Sequence, residues 1–325
     1  MDALSEVLRM IRLRGAFFLH GEFHAPWCVN APRRADMAYR LCPGARPLAI
    51  LHMVLEGRCW IRLGEDEAIA MEAGDVVALP AGDAHLVGCG LDHAPVDSRH
   101  MLPVKVPEIV PARYGGAGEG TILACGWFAY EGDVPNPLLA ALPRVFRVSL
   151  AQRPAGPWIE QSVRHALREA ATGGPGSTAV AAKVAEAMFV ETLRAYVDAL
   201  PVAQSGWLAG LRDPLVGRCL ALMHERPAHG WTLESLAEGA FTSRSVLAER
   251  FTELVGVAPM QYLKRWRLAV AARLLCNERV NLVEVAEAVG YESEASFSRA
   301  FKGEYGVPPG AWRSSGGQVN PAEGM

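Results

Sequence analysis

No apolar run in this chain approaches the roughly 20 residues that cross a bilayer as a helix, although half of its residues are hydrophobic. That excludes a helical membrane protein. Positive charge is not in excess either: 32 Lys and Arg against 35 Asp and Glu leave a net charge of −3, so there is no basic tail to coat nucleic acid. Seven cysteines (Cys28, Cys42, Cys59, Cys89, Cys125, Cys219, Cys276) form an odd set without a CxxC pair. They fit reduced cytoplasmic thiols better than a disulfide framework. P-loop, dinucleotide-binding and Ser-His-Asp signatures are missing, which leaves the commoner catalytic classes without support. Near the start, Leu4, Val7, Leu8 and Ile11 recur at helical spacing, but Asp2, Glu6, Arg9 and Arg12 interrupt any secretory hydrophobic region. This segment reads as a helix on the first domain. The 325 residues are enough for two domains with sizeable cores.

What is present is a duplication. From Ser243 the chain reads S-x3-L-x3-F-x4-G-V-x-P, and from Ser293 the same frame returns with Phe297, Phe301, Gly306, Val307 and Pro309 at identical offsets. In each copy a serine can cap a helix, apolar residues four apart face a core, and Gly then Pro stops the helix. A shorter apolar-periodic segment precedes each copy, Leu233 to Ala240 and Val283 to Val289, joined by a turn too short for anything but a sharp crossing. That is a helix-turn-helix. Thr232 is a candidate cap, and Gly290 can take the positive φ of the second turn, which is one residue longer than the first. If the apolar stripe faces inward, the opposite stripe is Arg244, Ser245, Ala248, Glu249 and Thr252 in one helix, and Glu294, Ala295, Ser298, Arg299 and Lys302 in the other. Small and polar groups of this kind let a helix enter a major groove and address base edges.

Residues 213–313 resemble the DNA-binding domain of the AraC/XylS family, through W-T-L-E-S-L-A, S-R-S-V-L-A-E-R-F, G-V-A-P-M-Q-Y-L-K-R-W-R-L, A-x-x-V-G-Y-E-S-E-A-S-F-S-R-A-F-K and G-V-P-P-G-A-W-R. The resemblance implies seven helices, with the capped helices in two successive major-groove segments and a long helix near Met260 to Leu275 holding them apart. It carries the base-contacting role to Arg244, Ser245, Ala248 and Glu249, and to Glu294, Ala295, Ser298 and Arg299. Lys302, Lys264, Arg265 and Arg267 are candidates for phosphate contacts, which position the protein without reading sequence. The segment holds twelve Lys plus Arg and twelve Asp plus Glu, so strong non-specific attraction to DNA is not expected.

From Ala16 to about Tyr130 the pattern changes to short apolar or alternating runs: Ala49 to Leu55, Arg58 to Leu63, Ala68 to Met71, Val76 to Leu79, His85 to Cys89 and Thr121 to Tyr130. These predict an antiparallel β-barrel or sandwich. Gly74-x5-Pro80-x-Gly82-x2-His85 is similar to the second motif of the cupin superfamily, and Val54-Leu55-Glu56-Gly57 to the turn after its first. The H-x-H pair and glutamate of metal-dependent cupins are absent, with Ile50 where the glutamate would stand and His52 as the nearby imidazole, so neither metal nor cofactor is expected. The resemblance to cupin-type sensors fused to AraC/XylS domains implies an effector pocket, for which His24, Trp27, His52, Trp60 and His85 are the candidates. Cys28 and Cys89 are the first candidates for redox activity.

The reading is thus a multidomain α+β protein. Residues 1–135 form a cupin-like antiparallel β-barrel that senses an effector; 136–211 supply a helical hairpin for dimerisation, with stretches Gly156 to Ala171 and Ala179 to Leu200, and then a linker from Pro201 to Gly210. Residues 213–313 form an all-α double helix-turn-helix, and 314–325 a disordered tail. The expected function is sequence-specific transcription regulation, as an activator answering a small molecule or oxidant. Promoter DNA, RNA polymerase and a second copy of the chain are the expected partners, with no membrane. The rival reading is a metal-dependent cupin enzyme that autoregulates through its DNA-binding domain.

Overall fold

The computed structural model describes residues 2–10, 14–31, 48–90, 93–101, 109–129, 136–201, 204–276 and 280–315. Cys42, and the expected tail beyond Ser315, lie outside them. Two compact units divide the chain: Leu13–Tyr130 with Leu142–Ala199, and Met1–Arg12 with Glu131–Ala141 and Leu200–Met325.

The first unit is a two-sheet β structure carrying a helical hairpin. One sheet has the order β11-β6-β3-β10-β1-β9, built from β1 (Arg14–His24), β3 (Leu48–Glu56), β6 (Asp75–Leu79), β9 (Val110–Gly115), β10 (Gly120–Ala129) and β11 (Phe146–Ser149). The other has the order β5-β4-β7-β2-β8, from β2 (Trp27–Ala31), β4 (Arg58–Arg62), β5 (Ile69–Glu72), β7 (His85–Cys89) and β8 (Val96–Asp97). Between them lies an apolar core that includes Phe23, Trp27, Ile50, Val54, Ile61, Val87 and Trp127. The helices α3 (Gly156–Thr172) and α4 (Ser177–Ala199) form the hairpin. α4 lies on the outer face of the larger sheet, where Phe189 stacks on Phe128 at 4.8 Å between ring centroids and Tyr196 meets Phe146 at 4.3 Å. The apolar face of that helix is therefore consumed inside the chain.

The second unit is helical. α1 (Ala3–Met10) packs on α6 (Pro214–Glu225), burying Ala3 and Val7, and α2 (Pro137–Ala141) lies against α5 (Trp207–Arg212). The N-terminal helix and the segment around Asn136 thus group with the DNA-binding helices rather than with the barrel, a division that differs from the expected boundary at 135. The stretch expected to be a linker from Pro201 to Gly210 carries α5 instead. Its Trp207 is buried and donates through Nε1 to the Tyr262 hydroxyl at 2.8 Å, so the segment has a core anchor that a free linker would lack. From Asp213 onward follow α6, α7 (Leu233–Gly239), α8 (Arg244–Val255), α9 (Pro259–Leu275), α10 (Leu282–Ala288), α11 (Glu294–Tyr305) and α12 (Pro309–Ser314), seven helices among the described residues.

Candidate functional site

Local chemistry sets the two helix pairs. Ser243 Oγ accepts from the Val246 amide at 3.4 Å, and Ser293 Oγ from the Ser296 amide at 3.2 Å, so each serine satisfies an otherwise orphaned donor at the start of its helix. Both helices end on a glycine at positive φ, 81° at Gly256 and 76° at Gly306. The preceding helices begin at capping boxes on Thr232 and Asn281. Inside, Leu247, Phe251 and Leu254 are buried in the first copy, and Phe297 and Phe301 in the second, where Phe301 sits edge-on to Trp312.

The opposite faces are open. Arg244, Ser245, Glu249 and Thr252 are exposed along α8, with Ala248 half-buried between them; Glu294, Ala295, Arg299 and Lys302 are exposed along α11, with Ser298 half-buried. The arginines of this unit fall into two groups. Arg250 is tied to Asp213 at 2.9 Å and to Glu253 at 2.7 Å, while Arg267 donates to the carbonyls of Pro227 and His229, both at 2.7 Å. Arg267, expected at phosphate, is thereby committed to holding a loop, and its half-buried guanidinium is unavailable. Arg265 has a loose partner in Glu304 at 3.7 Å. By contrast, Arg244, Arg299, Lys302 and Lys264 have no ion-pair or hydrogen-bond partner among the described residues. These cations are free to engage phosphate or guanine.

The cupin-like motif is built as its residues dictate. Gly74 takes φ 88° where the chain turns into β6, and Gly82 takes φ 61° at the corner before β7. That corner aims His85 inward. His85 Nδ1 lies 2.8 Å from the Asp83 carbonyl, its Nε2 is 2.8 Å from His52 Nε2, and His52 Nδ1 is 2.9 Å from Cys125 Sγ. A carbonyl only accepts, so Nδ1 of His85 carries a proton and its Nε2 must accept. The Nε2 proton of His52 then fills that bond, and its Nδ1 accepts from the Cys125 thiol. One tautomer assignment satisfies the whole chain with every member neutral. Burial reinforces it: His52 is held well below the ordinary imidazole range by burial and by its neighbour, His85 is lowered to about 4 chiefly by burial, and the Cys125 thiol is pushed up by burial.

The five candidate pocket residues do not converge. Trp27, His52 and His85 are buried, and Trp27 stacks on Phe23 at 4.4 Å. Trp60 alternates with Cys59 and Ile61 of the core and so lies on the other face of its sheet, packed over Gly88, while His24 is exposed at the end of β1. The two redox candidates also separate. Trp27 pairs with Cys89 and Cys28 with Gly88, which places Cys89 on the interior face with Trp27 and Cys28 on the opposite face. Among the described residues, no group of three or more His, Cys, Asp or Glu side chains is placed to hold a metal ion.

Comparison with known proteins accounts for both units. Residues 2–198 match the cupin family, and residues 236–315 match a helix-turn-helix domain family. An AraC-like transcription regulator from Streptomyces antibioticus is 33% identical over 320 residues, covering 96% of this chain and 98% of the relative. The chain belongs to the AraC family of transcription regulators. The RCS-specific transcriptional activator RclR of Escherichia coli is 27% identical over 323 residues, covering 99% of this chain and all of that protein. The DNA-binding domain of AdpA, solved in complex with a target DNA, is 33% identical and covers 32% of this chain and 92% of that one, with a TM-score of 0.30.

This AraC-family chain is therefore a DNA-binding transcription regulator, and its DNA-binding unit has a surface feature that the sequence reading passed over. Phe241 occupies the turn between α7 and α8 at φ 57°, where the second copy has Gly290 at φ 80°. Its ring is 80% exposed and rests on the Arg218 guanidinium, 4.3 Å from the ring centroid, and Arg218 in turn donates to the Gly239 carbonyl. Alignment of the two copies would have exposed it, since an aromatic residue stands in one turn near the place of a glycine in the other.

Proposed function

We propose that this regulator binds promoter DNA as a homodimer, laying α8 and α11 of each subunit into successive major-groove segments, and activates transcription through RNA polymerase in response to a small molecule or oxidant sensed in the β unit. One observation carries the reading: two capped helices of the same register each present an exposed face on which Arg244 in one and Arg299 and Lys302 in the other have no partner among the described residues. Base contacts fall to Arg244, Ser245, Ala248, Glu249 and Thr252, and to Glu294, Ala295, Ser298 and Arg299. Lys302, Lys264 and Arg265 meet phosphate.

Dimerisation fits the helical hairpin. With the inner face of α4 covered by the sheet, its outer side joins α3 in a groove of about 550 Å³ lined by Trp158, Gln161, His165, Arg168, Val180 and Val184. Trp158 is 58% exposed. The effector must bind the DNA-competent and incompetent arrangements unequally, since equal affinity shifts no population. Genome-wide footprinting of the chain and of a variant carrying Arg244→Ala and Arg299→Ala tests the proposal. Discrete promoter footprints that vanish in the variant support it; footprints retained at full occupancy refute the assigned face.

A further inference from the structure

The smaller sheet brings two thiols together. In the antiparallel pair β4 and β7, Trp60 faces Gly88 and Ile61 faces Val87, so the next position in the same register sets Cys59 opposite Cys89. Both belong to the interior side: Cys59 is part of the buried core and Cys89 packs against it. Directly opposed residues of an antiparallel pair have Cα atoms about 4.5–5.5 Å apart, within the range of about 4.4–6.8 Å that a disulfide spans. The pair can also be reached. A cleft of about 370 Å³ is lined by both cysteines together with Arg58, Trp60, Met71 and Arg147. Cys89 is half-buried there while Cys59 is buried, its thiol raised to about 12 by burial and by the neighbouring Cys89 and Asp75. Other pairings are disfavoured. Cys125 is held by His52, and Cys28 lies on the far face of the sheet.

We infer that Cys59 and Cys89 are a modification site, a cross-strand dithiol that a peroxide or another two-electron oxidant of its class converts to a disulfide. The accessible Cys89 sulfur, as thiolate, attacks a peroxide oxygen; an S–O bond forms, the O–O bond breaks, and hydroxide leaves with Cys89 as the sulfenic acid. Cys59 sulfur then displaces that hydroxyl, the S–O bond breaks as the S–S bond forms, and the Cys59 proton departs with hydroxide as water. Two thiols and one peroxide give one disulfide and two waters. The bridge pins β4 to β7 at the mouth of the cleft. The site itself needs no effector response, and rests on the oxidant response proposed above only for its consequence at DNA.

The test treats the full-length, reduced chain with hydrogen peroxide, blocks free thiols, and maps peptides by mass without reduction. The expected product is a cross-linked pair of peptides carrying Cys59 and Cys89, lighter by two hydrogens and restored by dithiothreitol. Cys89→Ser abolishes the link, and Cys28→Ser and Cys125→Ser preserve it. A link through any other cysteine, or over-oxidation of Cys89 without a link, overturns the assignment, and the map of the unsubstituted chain decides this even where a variant fails to fold. Operator affinity of the oxidised and reduced chains is measured on the same samples. A disulfide that leaves affinity unchanged keeps the site and refutes the oxidant response, whereas no disulfide with intact DNA binding refutes the site alone.

Discussion

At the scale of single residues, what an arginine touches separates recognition from structure. Arg299→Ala removes an exposed cation with no described partner, so we expect it to weaken binding to the specific site by about 1–3 kcal/mol while leaving the thermal midpoint unchanged, as read by fluorescence anisotropy and calorimetry. Arg267→Ala should do the reverse in kind, lowering the midpoint because the carbonyls of Pro227 and His229 lose their donor. The histidine chain makes a separate prediction. His85 is neutral in the fold with a pKa of about 4, against about 6.5 when unfolded, so the unfolded chain binds protons first as pH drops. Its contribution is complete above about pH 6.5, is lost progressively toward about pH 4, and changes no further below; the full swing is on the order of 3 kcal/mol. His224, lowered to about 3 in the helical unit, adds a dependence of the same sign. The difference in urea-unfolding profiles between the native chain and His85→Leu therefore isolates the β unit. Parallel profiles across this window would contradict the neutral chain.

At the scale of elements, the turns and caps carry the argument. Gly256 and Gly290 have nearly the same φ, 81° and 80°, yet a Cβ at Gly256 meets nothing within 4 Å while one at Gly290 lies 2.7 Å from the Ala228 carbonyl. Gly256→Ala should cost only the left-handed backbone penalty, about 1–2 kcal/mol, and Gly290→Ala a further 1–3 kcal/mol or so of overpacking. Thermal unfolding of the two variants compares them directly, and equal losses would contradict the packing described. These helices were legible in the sequence because serine caps, terminal glycines and four-residue apolar spacing are local signals. The barrel was less so. β1 shows no alternation because it is buried on both faces over most of its length, and β9 is a mostly exposed edge strand whose Pro111 and Gly115 give it no strand-like pattern. The convergence of His52, His85 and Cys125 depends on the register of β3, β7 and β10, which no local pattern discloses. On the hairpin, Trp158→Glu should turn a dimer into a monomer in sedimentation, since it places a charge in the groove; an unchanged sedimentation coefficient would move the interface elsewhere.

At the scale of the whole molecule, a DNA-binding segment with twelve cations and twelve anions must obtain affinity from placement rather than from bulk attraction. In the proposed function, duplication supplies that placement, with one exposed face per helix pair and α9 between the two. The most direct test is a selection of bound sequences from a random DNA pool by the native chain, by Arg244→Ala and by Arg299→Ala. The account predicts two short conserved blocks about 10 base pairs apart, with one variant relaxing preference in one block only and the other variant in the other. If both variants relax the same block, or neither changes any position, the two helices do not read DNA as described.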